Sequence, residues 1–117
     1  MPVDPSCLFC KFVSGNLNPD TVYEDNYCLA FRDNRPQAPT HILLIPKSHI
    51  PRLDTIRESD RAMAGHLLER AAYIAKEAGL SKGGFRIVVN CGFEAGQAVN
   101  HLHLHILGGR KFTWPPG

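Results

Sequence analysis

No stretch of this chain stays apolar long enough to cross a bilayer, and no tract of lysine or arginine gathers enough charge to grip a nucleic acid. Its 13 basic and 11 acidic residues are spread along the sequence and leave a net charge of only +2. No repeat and no low-complexity segment is present, which excludes solenoid, fibrous and disordered architectures. The opening MPVDPSCLFC lacks the charged-then-apolar order of an export signal. These absences lead to the expectation of a soluble, cytoplasmic protein that binds neither membrane nor nucleic acid. In that compartment four cysteines read as reduced thiols or metal ligands, not as a disulfide scaffold. A length of 117 residues predicts a single domain over residues 1–117, large enough to bury a core.

What is present has a clear order. Ser6 is the expected cap of a short helix through CLFCKFVSG, with Leu8, Phe9, Phe12 and Val13 on its apolar side and Gly15 as its stop. TVYED and YCLAFRD read as a hairpin turning at Asp25 and Asn26. After the loop NRPQAPT, HILLIP is a buried strand closed by Pro46. The segment ESDRAMAGHLLERAAYIAKEAGL carries Met63, Leu67, Ala71, Ile74 and Ala78 at helical spacing and stops at Gly79. GFRIVVN and HLHLHIL are the last two strands, with the glycine-bearing loop CGFEAGQAVN between them. Two helices and about five strands in this order predict an α+β domain with antiparallel pairing.

The most unusual stretch is NHLHLHILGG, where His101, His103 and His105 alternate with Leu102, Leu104 and Ile106. A strand sends alternate side chains to opposite faces, so the imidazoles share one face and the aliphatic groups anchor the other. At about 3.3 Å of rise per residue, neighbouring histidines sit about 6.6 Å apart and the outer pair about 13 Å apart. One metal ion with ligands at about 2 Å cannot hold all three without straining the strand, so the row predicts a division of labour.

Cys7 and Cys10 have the spacing of zinc ligands, and His49 and His101 are available downstream to complete a Cys₂His₂ set. A redox pair and two unrelated core cysteines are the competing readings of the same spacing. Asn90, Gly96 and Gln97 precede the histidine strand, where small residues admit an anion and Gln97 offers amide donors, although an ordinary loop has the same composition. Taken alone, His41 reads as a satisfied structural histidine and His66 as a solvated residue on the long helix.

Together, HLHLHIL, FRDNRPQAPTHILLIPKSHI, GGFRIVVN and the terminal GGRKFTWPPG resemble the histidine triad (HIT) family, with the nearest likeness to its Hint branch of nucleoside phosphoramidate hydrolases. The resemblance runs from Cys7 to Gly117. It implies a HIT-like fold, a five-stranded antiparallel sheet with two helices, whose sheets pair across a homodimer. It also implies hydrolysis of the P–N bond of purine nucleoside 5′-phosphoramidates, of the adenosine monophosphoramidate type, by way of a nucleotidyl-histidine.

By resemblance, His103 is the nucleophile, His105 meets the phosphoryl oxygen and the leaving group, and His41 and His101 support the nucleophile. Asn90, Gly96 and Gln97 match phosphate contacts, and Asp33 matches the acid that holds the ribose, beside Phe9, Phe31 and Leu43 around the base. Trp114, in a tail spanning 108–117, matches a tryptophan that reaches the partner subunit's pocket. Cys7, Cys10, His49 and His101 match the zinc-bearing members, which implies a structural zinc that the chemistry does not require. Three positions depart from the pattern: Ala98 replaces a serine common in Hint proteins, Asn34 an apolar residue against the base, and Cys91 falls at a variable polar position. The alternatives are a dinucleoside polyphosphate hydrolase and a nucleotide-binding interaction protein with incidental catalysis. The terminal WPPG favours the phosphoramidase.

Overall fold

The computed structural model describes residues 4–117. Helix α1 spans Leu8–Ser14 and is capped by Cys7, not by Ser6. The Ser6 hydroxyl is already committed to Asp4 Oδ1 at 2.7 Å, and the Cys7 sulfur accepts from the Cys10 N–H in its place. Gly15 ends the helix as expected, at φ 84°, a conformation that side chains with a Cβ rarely adopt.

Strands β1 (Thr21–Glu24) and β2 (Cys28–Arg32) form the expected hairpin. Its turn is held by Asp25 Oδ1, which accepts from the N–H groups of Tyr27 (2.7 Å) and Cys28 (2.9 Å). Strand β3 (Thr40–Pro46) pairs antiparallel with β2, with Leu29 opposite Ile45. Two short 3₁₀ turns, Leu53–Thr55 and Glu58–Asp60, lead into helix α2 (Arg61–Glu77). Strand β4 (Phe85–Val88) and strand β5 (Leu104–Gly108) complete an antiparallel sheet in the order β1-β2-β3-β5-β4. Five strands and two α-helices are thus the inventory among the described residues, as the patterning implies.

Helix α2 buries Leu67, Ala71, Ile74 and Ala75; Ala78, expected in that stripe, is exposed just beyond the helix end. Its core continues through Cys28, Ala30, Ile42, Leu44, Leu102, Leu104 and Ile106. The intervening residues of the same strands, Leu29, Phe31, Leu43 and Ile45, join Phe9 and Cys10 of α1 in a second core. The sheet is therefore buried on both faces, one helix to each.

Strand β5 begins at Leu104, three residues later than the alternation at His101 suggests. Pairing with β3 runs from Thr40 opposite Gly108 to Leu44 opposite Leu104. Two residues further on, the partner is Pro46, which has no N–H to offer. The Pro46 carbonyl is taken by His101 Nε2 at 2.8 Å, and the Leu102 N–H donates to the Ile50 carbonyl at 2.6 Å. Leu102, Leu104 and Ile106 still share the α2 core, so the alternation of faces survives where the ladder does not.

Candidate active site and metal cluster

The three histidines lie on the α1 side, and each makes a different bond. His101 Nε2 donates to the Pro46 carbonyl at 2.8 Å, which turns its Nδ1 lone pair towards Cys7 and Cys10. His103 Nδ1 donates to the His101 carbonyl at 2.7 Å, which leaves Nε2 without a proton and free to attack. The Phe9 ring meets the imidazoles of His101 and His103 edge-on, at 5.9 and 5.3 Å between centroids. One residue, His101, therefore faces the cysteines with its ring and orients its neighbour with its backbone.

A second chain of bonds fixes His105. The Gln37 N–H donates to His41 Nδ1 at 3.0 Å, so the His41 proton sits on Nε2. That proton points to His105 Nδ1 at 2.9 Å, with Asp33 Oδ2 at 3.4 Å as a second acceptor. His105 in turn carries its proton on Nε2. Burial, then the neighbouring His103 and His41, push His105 down to about 4, against the pull of Asp33. Burial also lowers His41, again opposed by Asp33. Both rings are neutral at pH 7, one offering a lone pair and the other taking it.

These groups open onto a cleft of about 540 Å³. Its apolar wall is Leu8, Phe9, Phe12, Phe31, Leu43 and Val99, and its chemical end is Asp33, His103 and His105. Asn34 and Ala98 also line it. Asn18, Asp20 and Arg32 add a polar rim that the motifs gave no reason to single out. Asn18 and Asp20 lie in the irregular segment before β1, where no pattern marks which residues face inward.

The remaining expected contacts are placed differently. Among the described residues, Asn90, Gly96, Gln97 and Trp114 are not in the cleft wall. Gln97 is not a free donor either: its Nε2 donates to the carbonyls of Pro51 (2.8 Å) and Val99 (3.0 Å), and its Oε1 accepts from the Gly92 N–H. The side chain braces the loop it was expected to equip. Asn90 is half-buried just past β4, Gly96 sits at an exposed turn, and Trp114 is 82% exposed. His66 is not a solvated residue: its Nε2 lies 2.7 Å from Asp25 Oδ2.

Cys7, Cys10, His49 and His101 converge, with their four ligand atoms within 4.8 Å of one another. Cys10 Sγ stands 3.3 Å from His49 Nδ1 and 3.6 Å from His101 Nδ1, and Cys7 Sγ stands 3.4 Å from His101 Nδ1. Bonds of about 2.3 Å to sulfur and about 2.0–2.1 Å to nitrogen at tetrahedral angles separate such donors by about 3.5 Å, so the residues fit one zinc ion. The surroundings fit as well: the His101 ring is oriented by a backbone carbonyl, and both sulfurs accept backbone N–H groups, Cys7 from Cys10 and Cys10 from Asp4. Burial lowers His101 to about 4 and raises the Cys10 thiol.

A model of the HIT domain matches residues 14–112. An uncharacterized HIT-like protein of Synechocystis sp. is 51% identical over 110 residues, covering 94% of this chain and 96% of that protein. The crystal structure of a HIT family hydrolase from Legionella pneumophila superposes with a TM-score of 0.94 at 49% identity, covering 96% of this chain and 100% of that one. A histidine triad protein from Clostridium difficile superposes with a TM-score of 0.91 at 42% identity, covering 97% of each chain.

Proposed function

The chain belongs to the HIT domain family, and from that premise we propose that it is a nucleotide hydrolase cleaving the P–N bond of purine nucleoside 5′-phosphoramidates through a nucleotidyl-histidine on His103. The observation that carries the reading is the hydrogen bond from His103 Nδ1 to the His101 carbonyl, which presents an unprotonated Nε2 at the end of a nucleotide-sized cleft. The relative from Legionella pneumophila, described as a HIT family hydrolase, supports the general class of reaction.

In this mechanism Nε2 of His103 attacks the α-phosphorus, a P–N bond to His103 forms and the P–N bond to the amine breaks. His105 Nε2–H faces the phosphoryl oxygen and the departing nitrogen. The negative charge of a bound phosphoryl group opposes the depression of His105, so the ring takes up a second proton as the substrate binds and, as the imidazolium, delivers it to the departing amine, returning to the neutral form. Water then attacks phosphorus from the same pocket, returns a proton to His105, releases the nucleotide and restores His103. His41 holds the tautomer of His105, and Asp33, beside it at the chemical end of the cleft, takes the ribose. Phe9, Phe31 and Leu43 enclose the base, and Asn90 and Gly96 belong to the loop assigned to the phosphate, with Gln97 as its brace.

Zinc at Cys7, Cys10, His49 and His101 has a structural role in this account, tying α1 to the segment that leads into β5. Assembly as a homodimer belongs to the same proposal. Strand β4 has a neighbour on one side only, and the tail beside it leaves Trp114 exposed to reach a partner's cleft. The test is to incubate the protein with an adenosine phosphoramidate and, separately, with diadenosine polyphosphates. Preferential AMP release from the first supports the proposal, and preference for the second transfers the same nucleophile to a pyrophosphate leaving group.

A further inference from the structure

On the opposite side of the sheet from the cleft, three side chains with metal-binding atoms meet where the β1–β2 turn touches α2. Asp25, Cys28 and His66 bring one oxygen, one sulfur and one nitrogen within 4.8 Å of one another. Asp25 and Cys28 share one turn three residues apart, and the fold brings His66, from the second turn of α2, to them across 41 residues. We propose that they form a second metal site, selective for a borderline divalent cation such as Zn²⁺ or Cd²⁺, separate from the cluster at Cys7 and independent of the proposed hydrolase activity.

The carboxylate is prepared for a ligand's role. Its Oδ1 is fixed by the N–H groups of Tyr27 and Cys28, which leaves Oδ2 aimed at His66 Nε2 at 2.7 Å. Tyr23 Oη also donates to Oδ2 at 2.8 Å and is itself held by Arg70 Nη1 at 3.2 Å. That is the outer support a ligating carboxylate needs. Access is open on one side: the His66 and Asp25 side chains are 30% and 22% exposed, whereas Cys28 is fully buried beneath them.

Charge and chemistry select the occupant. A thiolate beside Asp25 needs a cation between them, and one divalent ion neutralises both charges. Sulfur, imidazole and carboxylate suit zinc better than magnesium or calcium, which prefer oxygen alone. On binding, the Cys28 proton leaves to solvent and the His66 proton moves from Nε2 to Nδ1. Three protein ligands leave a fourth position for water, the pattern of an exchangeable ion in place of a closed structural one.

The experiment is a titration of the purified full chain with Cd²⁺, read by thiolate-to-metal charge-transfer absorption and by equilibrium dialysis. Wild type should take up one Cd²⁺ beyond the ion accounted for by Cys7 and Cys10. Cys28→Ser and His66→Gln should each weaken that equivalent by about 100-fold, and Tyr23→Phe, which removes only outer support, by about 10-fold. Asp25→Asn keeps an acceptor for the two turn N–H groups and should fold while losing the equivalent. Absence of the additional equivalent in wild type overturns the site, as does its survival in Asp25→Asn and His66→Gln chains whose circular dichroism matches wild type. Because AMP release is not among the readouts, failure of the hydrolase proposal leaves this result standing.

Discussion

The same strands build two unlike surfaces on the two faces of one sheet. Towards α2, β2, β3 and β5 present Ala30, Ile42, Leu44, Leu104 and Ile106, all aliphatic and each 6% exposed or less. Towards α1, the alternate residues include Phe31, His41, Leu43 and His105, with His103 just ahead of β5. These aliphatic groups need only shape. On the α1 face each imidazole needs one particular partner, and those partners come from elsewhere: Gln37 for His41, His41 for His105, the cysteines of α1 for His101. A mostly aliphatic face lets the other carry the chemistry, because burying Leu104 and Ile106 against α2 leaves the alternate residues of the same strand on the α1 side.

If the faces divide labour in this way, damage to each should show in a different measurement. The largest effect belongs to His103→Ala, which should reduce turnover to background with melting temperature and nucleotide affinity nearly unchanged. His105→Ala should lose about 10²–10⁴-fold in rate, as expected for a proton donor whose removal leaves the nucleophile in place. Retention of more than a few per cent of activity by the His103 variant breaks the assignment.

Removal of the metal comes next. Untagged protein purified without added metal should carry one tightly held zinc ion, and stripping it should lower stability by several kcal/mol, a discount from the roughly 10–16 kcal/mol seen in peptides that have no other core. Elemental analysis with a thermal melt decides this, and a zinc content near zero with an unchanged melt contradicts it.

Ile106→Ala is the counterpart on the other face. Ile106 is fully buried against α2, and truncation should cost about 2–5 kcal/mol in denaturant unfolding while kcat of the folded fraction stays within a few-fold of wild type. A large loss of kcat at full folding would show that the faces are not separable.

Protonation gives a smaller and graded effect. The native protein holds His105 near 4, while the unfolded chain binds that proton near the ordinary histidine value of 6.5. Between those values the unfolded state binds more protons, so stability is full above about pH 6.5 and declines as the pH falls towards 4. After a discount for solvent at the cleft, the loss is about 2 kcal/mol, and His105→Asn should flatten that part of the profile. A variant with the wild-type slope would place the responsible group elsewhere.

The smallest effect concerns Ala98, which lines the cleft and has no hydroxyl to offer a departing amine. Ala98→Ser should raise kcat on alkylamine phosphoramidates about tenfold, the worth of one hydrogen bond of about 1–1.5 kcal/mol made in the transition state. With acidic phenols as leaving groups the gain should vanish. An equal gain across the series would assign position 98 to loop geometry.

The aliphatic face was the more legible of the two in the sequence. Alternation in HILLIP and HLHLHIL and the spacing of Leu67, Ala71 and Ile74 are local patterns, and both helices stop at the glycines that mark their ends. The histidine face was legible in its residue types and only partly in its bonds. Nothing near His41 shows that the Gln37 backbone sets its tautomer, and nothing near His66 reveals Asp25, 41 residues away. Gln97 illustrates the converse: its amide suits a phosphate, but a loop turning from β4 towards β5 leaves backbone groups that claim it first. Side-chain identity follows from sequence, whereas the partner that decides its protonation follows from the fold.

The central claim is that His103 becomes covalently nucleotidylated. Rapid mixing of enzyme with one equivalent of an adenosine phosphoramidate, quenched in base within the first turnover and followed by peptide mass spectrometry at alkaline pH, tests it directly. The account predicts a transient adduct of one nucleotidyl group on the peptide containing His103, formed as fast as the amine is released and decaying as AMP accumulates. Release of AMP and amine at the same rate with no adduct at any time, or an adduct that persists in the His103→Ala variant, would contradict it.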